Sequence, residues 1–317
     1  MNRAEVSMRP TKSMQYKMSL IQSILYYKYI YILLLPGILF FVIFKYIPMY
    51  GVQLAFKEFY ANKGIYGSPW IGMENFNSLI VEKAFLNAFA NTLIISAMKI
   101  VFGFPFPIIL ALLLNEVINQ KFKKVLQTVF TFPHFLSWVI LSGIVMNLFS
   151  NTGVVNNLLS YFGMERQNFL MNKETFRYLL VFSDMWKEAG WSTILYLAAI
   201  TSIDPSIYEA STVDGASRLQ KIIFITLPGI FNMIIVLLVL TLGNIMEAGF
   251  MQIFNLYNAA VYQVSDIIDT YVYRISFQQT PNFGFSTAVG LFKGVTNLIL
   301  LLTANKIAKL FNHSGII

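Results

Sequence analysis

The sequence predicts an all-α integral membrane protein with six transmembrane helices. Three observations carry this. Apolar residues make up 56% of the 317, above the roughly 45–50% of soluble domains. Charged residues are 12%, half the usual share of about 25%. Apolar runs long enough to cross the hydrocarbon core, about 20 residues each, recur along the chain. A soluble globular enzyme, a disordered chain and a fibrous one are excluded by this composition. A β-barrel is excluded because no repeated short segments alternate apolar and polar residues. There is no Cys, hence no disulfide, thiol nucleophile or Cys metal site.

The elements follow in order. Residues 1–28 form a basic N-terminal segment. Met14, Met18, Ile21 and Leu25 fall on one helical face, with Lys17, Gln22 and Lys28 elsewhere. This fits a short helix on the membrane surface, or equally an N-terminal extension of the first span. It does not fit a cleaved signal peptide, because Arg3, Arg9, Lys12 and Lys17 are spread widely and no small-residue cleavage site follows the first apolar run. The expected spans are 29–52, 88–114, 125–149, 177–201, 229–250 and 284–305. Pro36, Pro105, Pro107 and Pro133 lie within them, where proline is tolerated and often kinks the helix. A polar tail, 306–317, ends the chain. The segments 1–28, 115–124, 202–228 and 306–317 hold twice as many Lys and Arg as the alternate loops. Both termini are therefore expected in the cytoplasm. The net charge of +8 reads as this bias, with membrane lipid and not nucleic acid as the partner.

The loop 203–228 reads as a motif. Asp204 before Pro205 is a strong helix start. Gly215 offers a left-handed stop two turns later. A second helical stretch is expected from Ser217, ending near Pro228, where the fifth span begins. Small residues such as Ala210, Ser211 and Ala216 would let the first helix enter a cleft on another protein, with Glu209 and Asp214 as polar handles. On the caps alone, an ordinary interhelical loop reads equally well.

The spacing adds to this. Glu209-Ala210-Ser211, Gly215, Ile225 and Leu227-Pro228 resemble the EAA loop of ABC importer permeases. The departure is Ser211, where the pattern prefers Ala. Phe44 to Gly51, Ala55-Phe56-Lys57, Gly67 to Gly72, Asn75-Phe76, Phe132 to Phe135 and Ser137-Trp138 look like the carbohydrate permeases. They most resemble the subgroup that imports complex oligosaccharides or polysaccharide fragments. The resemblance implies a six-helix core of the type I ABC importer arrangement in a bacterial cytoplasmic membrane. It implies pairing with a second, homologous permease and docking on two ABC ATPase subunits, each EAA loop serving as a coupling helix. An extracytoplasmic solute-binding protein would deliver the oligosaccharide. The coupling residues it implies are Glu209, Ala210, Ser211, Asp214, Gly215, Leu227 and Pro228. No cofactor is expected on this chain; ATP and Mg would bind the partner ATPases.

Two other classes compete. A membrane-embedded transferase needs a base, nucleophile or metal cluster. Only His134 and His313 are available as histidines, far apart, and His134 reads as a helix-start residue beside Pro133. Asp266 and Asp269 read as solvated residues of an outer loop. An ion-coupled secondary transporter is expected to show two similar halves, and no internal repeat is visible. Without a Gly-Lys dipeptide the chain cannot form a GxxxxGK[ST] loop, so it is a non-catalytic subunit and not the motor.

The candidate substrate path lies on the fourth and fifth spans. Charged groups inside a span usually face a cavity or a partner. Lys187, Glu188 and Trp191 cluster on the fourth span, with Lys187 and Trp191 one turn apart. Adjacent Lys187 and Glu188 point about 100° apart on a helix and are not expected to pair. An indole beside polar groups is a platform for a pyranose face. On the fifth span Thr241, Asn244 and Glu247 recur at helical spacing, as one stripe. The competing reading of these residues is bundle glue through buried hydrogen bonds. Lys99 and Lys293 either snorkel or attract an anionic sugar.

Overall fold

The structure, a computed structural model of the chain, describes residues 26–310. The expected surface helix at 14–25 and most of the tail, including His313, lie outside these residues. Among the described residues the backbone is helical, with one isolated β-bridge between Lys57 and Trp70.

The chain divides into two compact units, with the boundary between Gln53 and Leu54. In the first, helix α1 (Lys28–Phe41) continues into a π-turn, Val42–Tyr46. None of its residues is buried within the unit, as suits a span whose apolar side chains face lipid or a partner.

In the second unit a single helical turn at Gly64–Gly67 precedes a short helix, α2 (Glu74–Val81), and then long ones. Helix α3 (Lys83–Met98) and α4 (Pro105–Asn115) are joined by a π-turn at Lys99–Gly103. Pro105 and Pro107 cannot donate to the preceding turn, and the wider π geometry absorbs that loss. Helix α5 (Gln120–Thr131) is followed by a 3₁₀ turn at Phe132–Phe135 and then α6 (Trp138–Phe149). The third expected span, 125–149, is therefore not one helix. Pro133 opens the 3₁₀ turn, Leu136 is extended, and Ser137 caps α6 by accepting from the Ile140 amide. The apolar span runs instead from Trp138 to Tyr161 and includes α7 (Val154–Tyr161).

Helix α8 (Lys173–Thr201) is 29 residues long and contains the expected fourth span. Then come α9 (Pro205–Val213), α10 (Leu227–Gly243), α11 (Phe250–Leu256), α12 (Ile268–Tyr273) and α13 (Phe283–Leu310). The stretch from Ser217 does not end at Pro228. It runs through a π-turn at Ile222–Thr226 directly into α10, as one helix from Arg218 to Gly243.

Among the described residues five helices are long and apolar enough to cross a membrane. These correspond to the first, second, third, fifth and sixth expected spans. The fourth, α8, is long enough but carries Arg177, Asp184, Lys187 and Glu188. Its charges turn inward: Arg177 donates to the Val264 carbonyl and to Asn91, and the other three are paired as described below.

Three apolar clusters hold the second unit together. One joins Leu110, Ala111 and Leu114 of α4 to Tyr196, Leu197 and Ile200 of α8 and Ile230 of α10. Another packs Ile95 and Val145 against Phe176, Leu179 and Leu180, and on to Ile253 and Leu256. The third gathers Leu79, Phe85, Ala88, Ile268, Tyr271, Ala288 and Val289. Helices α5 and α8 meet backbone to backbone at Gly190, where an added Cβ would come within 2.1 Å of the Phe130 carbonyl oxygen.

Asp266 and Asp269, expected to be solvated loop residues, are both paired with basic side chains. Asp266 is 5% exposed and is held by the Arg274 guanidinium, which bonds both its carboxylate oxygens. Asp269 accepts from Lys293 at 2.7 and 2.9 Å. Lys293 therefore does not snorkel; it pins α13 to the start of α12.

Candidate functional site

Two features of the second unit stand out: a partly open cavity and the exposed loop after α8. The cavity has a volume of about 690 Å³. Its wall is built from α3 and its π-turn, α4, the middle of α8, and the end of α10. Among the sequence-identified residues, Glu188, Thr241, Asn244 and Glu247 line it; Lys187 and Trp191 do not.

Thr241, Asn244 and Glu247 do not form one helical stripe. Helix α10 stops at Gly243, Asn244 is its C-cap at φ −111°, and Glu247 lies in the turn beyond. They reach the same cavity because the chain folds over the end of the helix. Thr241 and Asn244 each spend one bond on their own helix, to the Leu237 and Leu240 carbonyls, and both remain exposed.

Lys187 is 7% exposed. Its ammonium donates to the carbonyls of His134 at 2.5 Å and Leu136 at 2.9 Å. These are acceptors left over where the 3₁₀ turn breaks the helix. Lys187 thus takes the bundle-glue role. It also lies 3.6 Å from Glu188, so the two adjacent side chains do pair, contrary to the helical-wheel expectation. Both bend toward one partner, the broken turn, instead of projecting radially. Glu188 accepts from or shares a proton with His134 Nδ1 at 2.7 Å. Trp191 stacks on the His134 ring at 4.7 Å and 4°, with Phe135 edge-on. One indole face is therefore taken by imidazole and is no open sugar platform.

A cluster that the sequence did not reveal lies at the cavity wall. Lys99 donates to Asp184 at 2.9 Å, the Ala248 carbonyl at 2.9 Å and Gln252 Oε1 at 2.6 Å. Gln252, fully buried, in turn donates to the Leu180 carbonyl and Ser183. One ammonium thus ties the second span, the fourth span and the segment after the fifth. Lys99 neither snorkels nor stands free. The presence of Lys99 and Asp184 inside two different spans was a usable signal; Gln252 gave none.

The loop is built as its caps predict. Asp204 Oδ1 accepts from the Ser206 amide at 2.9 Å, which holds its carboxyl below the ordinary value. Pro205 starts α9. Gly215 sits at φ +78°, and the Ala216 amide closes the turn onto the Ser211 carbonyl at 2.9 Å. Ser217 and Gln220 form a reciprocal capping box. Tyr208 and Thr226 share a hydrogen bond at 2.9 Å, and Lys221 donates to Thr212 at 2.7 Å. These two contacts fix α9 against the root of α10. Glu209, Ala210 and Asp214 are exposed and Ser211 half-buried. Val213, Leu219 and Phe224 are exposed apolar residues around the same loop. Pro228 lies at the start of α10, two residues after Thr226 and beside half-buried Leu227.

Comparison with known proteins agrees with this architecture. Residues 103–312 match the family described as binding-protein-dependent transport system inner membrane component. The chain is 47% identical over 290 residues to the polygalacturonan/rhamnogalacturonan transport system permease protein YteP of Bacillus subtilis (strain 168), covering 91% of this chain and 90% of the relative. It is 43% identical to protein LplB of the same organism, over 91% of both chains. A chain of the bacterial alginate ABC transporter, solved in complex with an alginate pentasaccharide-bound periplasmic protein, superposes with a TM-score of 0.86 at 42% identity, covering 94% of this chain and 99% of that one. The transferase and secondary-carrier readings are thereby set aside. With helices fit to cross a membrane, an exposed capped loop at the EAA spacing and these relatives, the chain belongs to the inner membrane component family of binding-protein-dependent transport systems, as a permease subunit of an ABC importer.

Proposed function

We propose that this permease imports oligosaccharides or polysaccharide fragments, forms its path with a second homologous permease, and is driven by two ATPase subunits that bind ATP and Mg. A solute-binding protein delivers the sugar on the extracytoplasmic side, and both termini lie in the cytoplasm. The observation that carries this reading is the loop 203–228. Its helix α9 is capped at both ends, exposed along Glu209 and Ala210, and anchored to α10 by Tyr208–Thr226. A rigid, solvent-facing helix tied directly to a span can pass a push from a partner into that span. The relatives support the substrate class: their names refer to polygalacturonan or rhamnogalacturonan, alginate and arabinooligosaccharides. The path runs along the cavity, with Glu188, Thr241, Asn244 and Glu247 at its wall.

The test separates coupling from folding. Glu209→Lys reverses a charge on the docking helix. Gly215→Pro imposes φ near −65° where the turn requires +78°. Both variants are expected to reach the membrane and co-purify with the partner permease, while ATP-driven uptake in liposomes is lost. Normal uptake in both removes the coupling role from this loop.

A further inference from the structure

The cavity offers no free cation to a substrate carboxylate. Among the described residues Lys99 is the one basic residue on its wall, and three acceptors already occupy its ammonium. Asp184 is matched by Lys99. Glu188, also on the wall, is matched by Lys187 behind it at 3.6 Å. Glu247 is exposed on the wall and has no ion-pair partner among the described residues. The rest of the polar wall is neutral: Ser96, Ser192, Thr241 and Asn244. Ser96 is 5% exposed and its Oγ is closed off from the cavity, so the hydroxyl and amide groups within reach of a ligand are those of Thr241 and Asn244, both exposed. Phe104, half-buried on the same wall, adds an apolar ring face of the kind that sugar rings stack on.

We propose that this cavity accepts uncharged oligosaccharides through polar contacts at Thr241 and Asn244, and that Glu247 rejects uronate sugars. The proposal rests on the importer reading above and narrows its substrate class. It separates this chain from the relatives whose names refer to polygalacturonan and to the acidic polysaccharide alginate. A uronate chain carries one carboxylate per sugar. Against this wall each would meet the unmatched carboxylate of Glu247, with Lys99 already matched. Like charges a few ångströms apart in a partly desolvated site discriminate by at least about tenfold.

The test uses the assembled importer, with its partner permease, ATPases and binding protein, in liposomes. The probes are galacturonate and mannuronate trimers, the same trimers fully methyl-esterified, and arabinotriose and galactotriose as further neutral sugars. Methyl esterification removes the charge and leaves the backbone intact. The binding protein's own preference, measured by calorimetry, is divided out of the uptake ratio. The esters are expected to exceed the acids by at least about tenfold. Glu247→Gln should narrow that ratio and Glu247→Lys should close or reverse it, since this side chain is exposed and holds nothing in place. Thr241→Ala should lower neutral uptake several-fold with the ester-to-acid ratio unchanged. Equal corrected uptake of acid and ester, or a ratio unmoved by Glu247→Lys, overturns the proposal while leaving the importer reading intact. An assembled, ATPase-active complex that moves none of these sugars overturns the importer reading itself and the charge assignment with it.

Discussion

Lys187→Met removes an ammonium and keeps the apolar stem. The wild-type Lys187 is 7% exposed, donates to the His134 and Leu136 carbonyls, and stands 3.6 Å from Glu188. Each buried acceptor left without a donor costs about 1–3 kcal/mol. Glu188 keeps His134 as a partner and is partly exposed, so its share is smaller than the roughly 3–5 kcal/mol of a fully buried broken pair. The sum is on the order of 3–6 kcal/mol, concentrated at the turn between α5 and α6. Because that turn packs on α8, the loss should appear in the whole unit. The assay is thermal unfolding of the detergent-purified complex, with co-purification of the partner permease measured alongside. A fall in midpoint of at least about 6 °C is expected, together with reduced recovery of the partner. Uptake per assembled complex should change less than the recovery does. A complex of unchanged thermal stability that has lost uptake would refute this reasoning and return Lys187 to the substrate path.

Two further outcomes follow from the same region and from the loop. Trp191→Ala removes a ring stacked on His134 at 4.7 Å and should cost about 0.5–1.5 kcal/mol beyond lost area, seen as a small fall in the thermal midpoint. Uptake by the assembled complex should persist, because the indole is not on the cavity wall. The Asp204 cap should also show in the pH dependence of α9. Its carboxyl is held below the ordinary value of 3.8 by the Ser206 amide, so the cap contributes fully above that value and is lost as the pH falls through the lower folded one. Amide exchange at Ser206 and Ile207, corrected for its intrinsic pH dependence, should accelerate over that range in the wild type. In Asp204→Asn, which caps without titrating, the acceleration should be absent.

Much of this protein was decided locally, and its sequence shows it. A run such as Leu227 to Gly243 must hide its backbone polar groups in helical bonds when the solvent is lipid, so spans are legible from composition. The loop 203–228 is legible for the same reason: N-cap, N1 proline and left-handed glycine act within a few residues of each other. The EAA spacing sits on those local signals.

Only the tertiary structure decided where polar groups inside the spans point. Lys187 and Trp191 share a helical turn with one another, yet both turn to the break at Phe132–Phe135, which lies more than 50 residues away in sequence. Pro133 signalled a kink but not a complete interruption, because neighbours decide whether a proline bends or breaks a helix. Thr241, Asn244 and Glu247 were read as a stripe by assuming that α10 continues; it ends at Gly243, where the chain turns to place Ala248 and Gln252 against Lys99. Partner choice among buried charges depends on which helices pack side by side, and helical spacing within one span carries no record of that. The cavity and the charge of its wall are therefore properties of the fold, whereas the spans and the capped loop are properties of the sequence.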